Sequence, residues 1–209
     1  MLITFSGIDG SGKSTQVALA VNWLQEQGYQ PHTLHLTQWT WVYQIGERVA
    51  PRGEGGEKTA PILPSGHAVS YPPSFPARLL RQILSLCDMT RFVFLKWRLP
   101  NQDILICDRY FYDLGISAIY RRTMSLSFVR LMWRIAPCPD LAFFLDAHPQ
   151  QAKEREQEGE HLINYYTDKL ALYQKYAKVW PVVQLSPDEL SKTQAQISTA
   201  LTKLMEGVR

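Results

Sequence analysis

The sequence has few cysteines, no long apolar run and no large surplus of charge, and each absence excludes a class of protein. The three cysteines lack C-x-x-C spacing and are odd in number, so we expect reduced thiols in the cytoplasm. No run of about 18 apolar residues and no leader-like pattern occurs, so we expect neither secretion nor a membrane partner. Lysine and arginine number 22 against 19 acidic residues, and a net charge of +3 is too small to indicate a nucleic acid polymer as partner.

What is present is a glycine-rich stretch close to the N-terminus, "FSGIDGSGKST" at residues 5–15. It matches G-x-x-x-x-G-K-[ST], the pattern of a loop whose backbone N–H groups bind phosphates. A short β-branched and aromatic run precedes the loop, and apolar residues at helical spacing follow it as far as Gly28. The order strand, loop, helix brings the positive end of a helix dipole to the bound phosphates.

We therefore predict that the loop binds a nucleotide. Lys13 is expected to be exposed and to reach the β- and γ-phosphates, and the Ser14 hydroxyl to ligate Mg²⁺. A strand-to-helix turn that merely needs small residues is the structural alternative. The predicted nucleotide-binding residues are Gly7, Ile8, Asp9, Gly10, Ser11, Gly12, Lys13, Ser14 and Thr15.

A second stretch, "DILICDRYFYD" at residues 103–113, combines a buried strand with charged residues. Asp108 and Arg109 follow the apolar run, at the edge where open parallel sheets bind ligands. Asp108 is expected to hold Mg²⁺ through its water shell, and Arg109 to hold a phosphate. An Asp–Arg surface pair is the alternative, but the phosphate loop favours the binding roles.

Strand-like and helix-like stretches alternate along the chain, which predicts one α/β domain over residues 1–209 with three α/β/α layers and a five-stranded parallel sheet. Residues 51–73, with five prolines and four glycines, predict a long loop that is either a mobile flap at the substrate site or a disordered insertion. We expect strands at 2–6, 32–37, 103–107, 141–146 and 181–185. We expect helices at 13–27, 76–97, 114–134, 149–158, 161–178 and 188–205.

The loop, "CDRY" at residues 107–110 and "DLAFFLDAHPQQAKER" at residues 140–155 together resemble the thymidylate kinases, a branch of the nucleoside monophosphate kinases. The resemblance implies a P-loop kinase fold with a helical lid near 148–161. It implies ATP and Mg²⁺ as cofactors and a nucleotide or other small phosphorylatable molecule as acceptor. A homodimer is compatible with it.

The same resemblance implies the roles of individual residues. Asp9 would lie near the acceptor oxygen, Arg109 would bind the acceptor's phosphate next to Tyr110, and Arg155 would close with the lid over the transferred group. The implied catalytic residues are Asp9, Lys13, Arg109 and Arg155, and the implied acceptor-binding residues are Asp9, Arg91, Arg109 and Tyr110.

Arg91 lies on the predicted helix 76–97, at the flank of an apolar face made of Leu79, Leu80, Ile83, Leu86, Cys87 and Phe94. A guanidinium there needs an anion. Thymidylate kinases place an arginine on this helix to hold the acceptor's phosphate. A protein carboxylate, Asp88 or Asp108, is the other partner that we consider.

The chain departs from the thymidylate kinases on the acceptor side. Cys87 stands where the family has an aromatic residue that stacks on the base, and "LTQWTWVYQIGER" at residues 36–48 replaces the family's R-E-P-G-G-T. The alternating Trp39, Trp41 and Tyr43 either line an acceptor pocket or form a half-buried edge strand. Kinase chemistry is therefore more strongly indicated than thymidylate as substrate.

A nucleotide-binding switch or slow NTPase that controls a partner is the alternative function. The sequence favours a kinase, because a switch has no need for three arginines from separate elements at a second site. A molecule that accepts the phosphoryl group would distinguish the two.

Overall fold

The computed structural model describes residues 1–49, 74–100, 103–156, 163–186 and 190–207. Its five strands form one parallel sheet in the order β2-β3-β1-β4-β5, which confirms the predicted sheet. The strands are β1 (Leu2–Gly7), β2 (His32–His35), β3 (Leu105–Asp108), β4 (Leu141–Leu145) and β5 (Val183–Leu185).

Helices cover both faces of the sheet, as a three-layer fold requires. Alternate residues of β1 point to opposite faces: Ile3 and Phe5 pack with α1 and α9, whereas Leu2 packs in the core that includes α4, α5 and α8. The helices are α1 (Lys13–Glu26), α2 (Leu36–Trp39), α3 (Trp41–Val49), α4 (Phe75–Arg98), α5 (Phe111–Tyr120), α6 (Leu126–Ile135), α7 (Pro149–Arg155), α8 (Ile163–Ala177) and α9 (Leu190–Glu206). No helix among these described residues is long and apolar enough to cross a membrane.

The prediction of one helix over 114–134 is wrong, because the structure has two, α5 and α6. Arg122, two residues after the end of α5, adopts a left-handed backbone conformation with φ of 53°, so the helix cannot continue through it. Ser125 then caps α6 by accepting a hydrogen bond from the Phe128 N–H at 3.3 Å.

The edge-strand interpretation of Trp39, Trp41 and Tyr43 is also wrong, since β2 ends at His35 and these residues lie on α2 and α3. A carboxylate that is distant in sequence stabilises the helical conformation of this segment. Asp88 of α4 is buried and accepts hydrogen bonds from the N–H groups of Trp41, at 2.9 Å, and Val42, at 3.1 Å. A carboxylate at the N-terminus of α3 stabilises a helix there.

The apolar face of α4 is not the face that the structure buries. The buried residues of the helix are Ser85, Asp88, Met89 and Phe92. The apolar face lies mostly on the exposed side of the helix. Among the described residues the exposed apolar positions of α4 are Phe75, Leu79, Leu80, Ile83, Leu86, Val93, Phe94 and Trp97.

The predicted loop 51–73 lies outside the described residues. The predicted lid is described as far as residue 156, with α7 as its helix, and residues 157–162 also lie outside.

Candidate active site

The glycine-rich loop connects β1 to α1 and lies against the lid helix α7. Gly10 and Gly12 have φ of 72° and 86°, in the left-handed region that favours glycine. A Cβ added at Gly10 would come within 2.0 Å of the Ala152 carbonyl oxygen of α7. This close approach of two backbones explains why the position requires glycine.

A cleft of about 410 Å³ opens beside this loop and gathers residues from separate parts of the chain. The loop, the end of β3 and α7 contribute the predicted residues, and all lie at the carboxyl edge of the sheet. The lining residues are Asp9, Gly10, Gly12, Lys13, Ser14, Thr15, His35, Asp108, Arg109, Arg155 and Glu156. Gly7, Ile8 and Ser11, which we also predicted to bind the nucleotide, lie in the buried part of the loop.

Lys13 lines the cleft but is 5% exposed, so the expectation of an exposed ammonium is wrong. Its Nζ donates to the Ile8 carbonyl at 2.5 Å and to Ser11 Oγ at 3.2 Å. Burial, together with the positive charge of Arg109, lowers the pKa of Lys13 to about 7. A phosphate at this position would supply the negative charge that a buried ammonium needs.

Ser14 and Asp108 meet across the cleft, as a metal site at this position requires. The Ser14 hydroxyl donates to Asp108 Oδ2 at 2.6 Å. Asp108 Oδ1 is buried and accepts no hydrogen bond from the described residues, so it has a lone pair available for a cation or its water shell. Among the described residues, no group of three or more His, Cys, Asp or Glu side chains could hold a metal. One carboxylate, one hydroxyl and substrate phosphates suit Mg²⁺, which keeps several waters.

Asp9 is held on both carboxylate oxygens. Arg109 Nη2 donates to Oδ1, while Lys169 Nζ, at 2.8 Å, and the Tyr165 hydroxyl, at 2.6 Å, donate to Oδ2. Burial alone would raise the pKa of Asp9, but the charges of Lys169 and Arg109 hold it well below its usual range. Asp9 is therefore a carboxylate anion at neutral pH and a hydrogen-bond acceptor for any nearby hydroxyl.

The remaining predicted site residues lie in different surroundings. Arg155 lines the cleft from α7 with an exposed side chain. Arg91 does not line the cleft: it pairs with Asp88 at 2.8 Å, and its guanidinium lies between the Trp39 and Trp41 rings, at 4.2 and 4.1 Å from their centroids. The carboxylate that we considered as an alternative partner is thus the one found.

Tyr110 is not a cleft residue, which corrects its assignment to the acceptor site. Its side chain is fully buried, its hydroxyl donates to the Pro137 carbonyl, and its ring packs edge-on against Phe92 and Phe111. The large aromatic side chain fills the core under α4 and α5 instead of facing a ligand.

Sequence reasoning missed Asp113, which joins the loop to α5 and α8. Its buried carboxylate accepts hydrogen bonds from Ser6 Oγ at 2.7 Å, Gly7 N–H at 3.2 Å, Tyr110 N–H at 2.7 Å and the Tyr173 hydroxyl at 2.6 Å. An acidic residue in the first turn of a helix was the available signal, since it indicates a capping box.

Comparison with known proteins identifies the relatives of this chain. It is 32% identical over 160 residues to the thymidylate kinase of Chlorobaculum tepidum, a match that covers 75% of this chain and 66% of that protein. It is 28% identical over 189 residues to the thymidylate kinase of Neorickettsia sennetsu, covering 88% and 85% of the two chains. A probable thymidylate kinase 2 of Saccharolobus solfataricus is 26% identical over 166 residues, covering 78% of this chain and 67% of that protein. No family model matches the chain.

A solved structure of deoxyadenosine kinase from M. mycoides, with products dCMP and dCDP bound, superposes with a TM-score of 0.55 at 16% identity, covering 99% of this chain and all of that one. At this identity the likeness concerns the fold. The chain is thus similar in sequence to thymidylate kinases and has a P-loop kinase fold. Its matches span 66% and 65% of the lengths of two curated relatives, slightly less than two thirds.

Proposed function

We propose that this protein transfers the γ-phosphoryl group of ATP, with Mg²⁺, to a nucleotide or another small acceptor. The observation that carries the proposal is the cleft in which the phosphate loop, Asp108 and the Asp9–Arg109 pair face one another. The sequence similarity of the chain to thymidylate kinases supports the proposal.

The charge of each side chain determines the group that it would bind. The N–H groups of the loop and Lys13 would bind the phosphates of ATP, and Ser14 with Asp108 would hold Mg²⁺, which supplies positive charge at those phosphates when it is bound. Asp9 would accept a hydrogen bond from the acceptor, and Arg109 would orient its phosphate in a bidentate contact. Arg155 would approach from α7 and neutralise charge on the transferred group.

Phosphoryl transfer needs little more from a protein than positioning and neutralised charge. The lid helix α7, whose backbone closely approaches the loop at Gly10, would also keep water from the phosphoryl group, which limits hydrolysis. This division of roles gives no part to a partner protein, as the switch alternative would.

A coupled assay of ATP consumption with a panel of nucleosides, nucleoside monophosphates and sugars tests the proposal. At least one acceptor should raise ATP turnover in a saturable way, and Lys13→Met should remove that increase. Turnover that no acceptor changes would contradict the kinase function and favour a slow NTPase.

We also propose that α4 forms a homodimer interface. Among the described residues, Leu79, Ile83, Leu86, Val93 and Trp97 are 41–78% exposed, and with Thr90 they repeat at alternating spacings of four and three. That repeat makes a continuous stripe suited to a second helix, and the charged residues of α4 lie outside it.

Light scattering on the whole chain tests the dimer. The wild type should have twice the chain mass, and Leu86→Asp, a change at an exposed position, should yield a folded monomer. A monomeric wild type would contradict this interface.

The expected location in the cytoplasm accords with the three free cysteines and stays a prediction.

A further inference from the structure

Lys169 is a buried cation that enters the site from α8, far from the motifs in sequence. Its side chain is 5% exposed. The Nζ donates to Asp9 Oδ2 at 2.8 Å and to the Tyr165 hydroxyl at 2.7 Å. Tyr165 and Lys169 are four residues apart, so one face of α8 presents both groups to the same carboxylate oxygen.

Asp9 therefore carries two cations, one on each oxygen. Arg109 occupies Oδ1, and Lys169 with Tyr165 occupies Oδ2. Asp9 is thereby held from two directions, beside the part of the loop where we place the acceptor.

Stability alone is a weak reason for such an arrangement. Burying an ion pair costs the free energy of desolvating both charges, and apolar side chains of similar volume often stabilise a fold just as much as the pair does. Burial lowers the pKa of Lys169, and although Asp9 opposes this effect, the net shift is downward. The other charges facing this ammonium, Arg109 and Arg121, lower its pKa further.

We infer that Lys169 is a positioning residue, which together with Tyr165 fixes the Asp9 carboxylate and, through it, the Arg109 guanidinium. The inference rests on the proposed kinase function. In this arrangement α8, the helix that follows the lid segment, sets the geometry of the acceptor side of the phosphate loop. A neutral residue at position 169 would leave Oδ2 held by the Tyr165 hydroxyl alone, and Asp9 would then turn about its Cα–Cβ bond.

The kinetic test uses Lys169→Met and Lys169→Arg with ATP and an accepted acceptor. Methionine should lower kcat about 10- to 100-fold with KM for ATP nearly unchanged, because the phosphate loop itself is intact. Arginine should restore most of the rate. It should also move the alkaline limb of the pH profile to higher pH, since it keeps its charge where lysine loses it.

Lys175→Met is the matched control, because Lys175 lies on the same helix but is exposed. It should leave kcat and the pH profile unchanged. A Lys169→Met enzyme with wild-type kcat and an unchanged alkaline limb would overturn the inference.

Crystal structures of the wild type and Lys169→Met give a readout that needs no turnover. The variant should show Asp9 rotated and its contact with Arg109 lost. If Asp9 and Arg109 stay in place, the inference is wrong even for an active kinase. A wild type that phosphorylates nothing would contradict the proposed function, and the two structures would still decide the role of Lys169.

Discussion

Nucleotide binding should be coupled to proton uptake at Lys13. In the free protein, burial and the charge of Arg109 lower the pKa of Lys13 to about 7. Phosphate oxygens beside the ammonium favour its charged form, so bound nucleotide should raise this pKa toward its ordinary value of 10.5. Between these two values the complex holds a proton that the free protein lacks. Affinity should therefore fall as the pH rises above 7.

The size of the effect follows from the pKa. Lys13 in the free protein is about half protonated at pH 7 and about one tenth protonated at pH 8. Binding should therefore take up about 0.5 proton at pH 7 and about 0.9 proton at pH 8. The apparent Kd should rise about tenfold from pH 6 to pH 8.

Isothermal titration calorimetry of ADP binding measures this uptake. Titrations in EDTA, in two buffers of different ionisation enthalpy, would compare the wild type with Lys13→Arg. The ionisation of ADP itself is common to both proteins, and arginine stays charged throughout. The wild type should take up more protons at pH 8 than the variant, and equal uptake would refute the assignment of the titrating group to Lys13.

Three further predictions follow from the same contacts. Asp108→Asn should shift the magnesium titration of activity to higher concentration with little change in nucleotide affinity, because the amide keeps the shape but loses the charge; an unchanged titration would return Asp108 to a structural role. Asp113→Asn should lower the free energy of unfolding by about 3 kcal/mol, because a buried carboxylate loses charge-assisted hydrogen bonds; chemical denaturation measures this, and a loss below about 1 kcal/mol would count against it. Thymidylate should be a poor acceptor, since Cys87 cannot stack on a base and Arg91 is held by Asp88; turnover of about 1 to 100 per second, ordinary for kinases, would contradict this.

The parts of the site that could be predicted have local sequence signals. The phosphate loop is a contiguous pattern, and Asp108 follows directly on a buried strand. The parallel sheet brings these two segments to the same edge. Their meeting, seen in the Ser14–Asp108 hydrogen bond, therefore follows from the order of elements alone.

Lys169 and Tyr165 could not be found in this way. They lie 160 and 156 residues from Asp9 in sequence, and a lysine on a helix ordinarily lies on the solvated face. Only the packing of α8 beside the loop brings them to that carboxylate.

The buried face of α4 could not be predicted from its apolar spacing, for a different reason. Apolar periodicity marks a face that is to be buried, and α4 has a wide one, but the structure buries the narrower face instead. Asp88 belongs to that buried face because it caps α3 and pairs with Arg91. Such partners come from tertiary structure, which the spacing within one helix does not encode.

The destination of the γ-phosphate of ATP tests the central claim most directly. ATP labelled in that phosphate, incubated with the protein, Mg²⁺ and the acceptor that most increases ATP consumption, should yield label on the acceptor in proportion to the ADP formed. Lys13→Met should abolish this transfer. Label that appears as inorganic phosphate alone, whatever acceptor is present, would contradict phosphoryl transfer as the function of this protein.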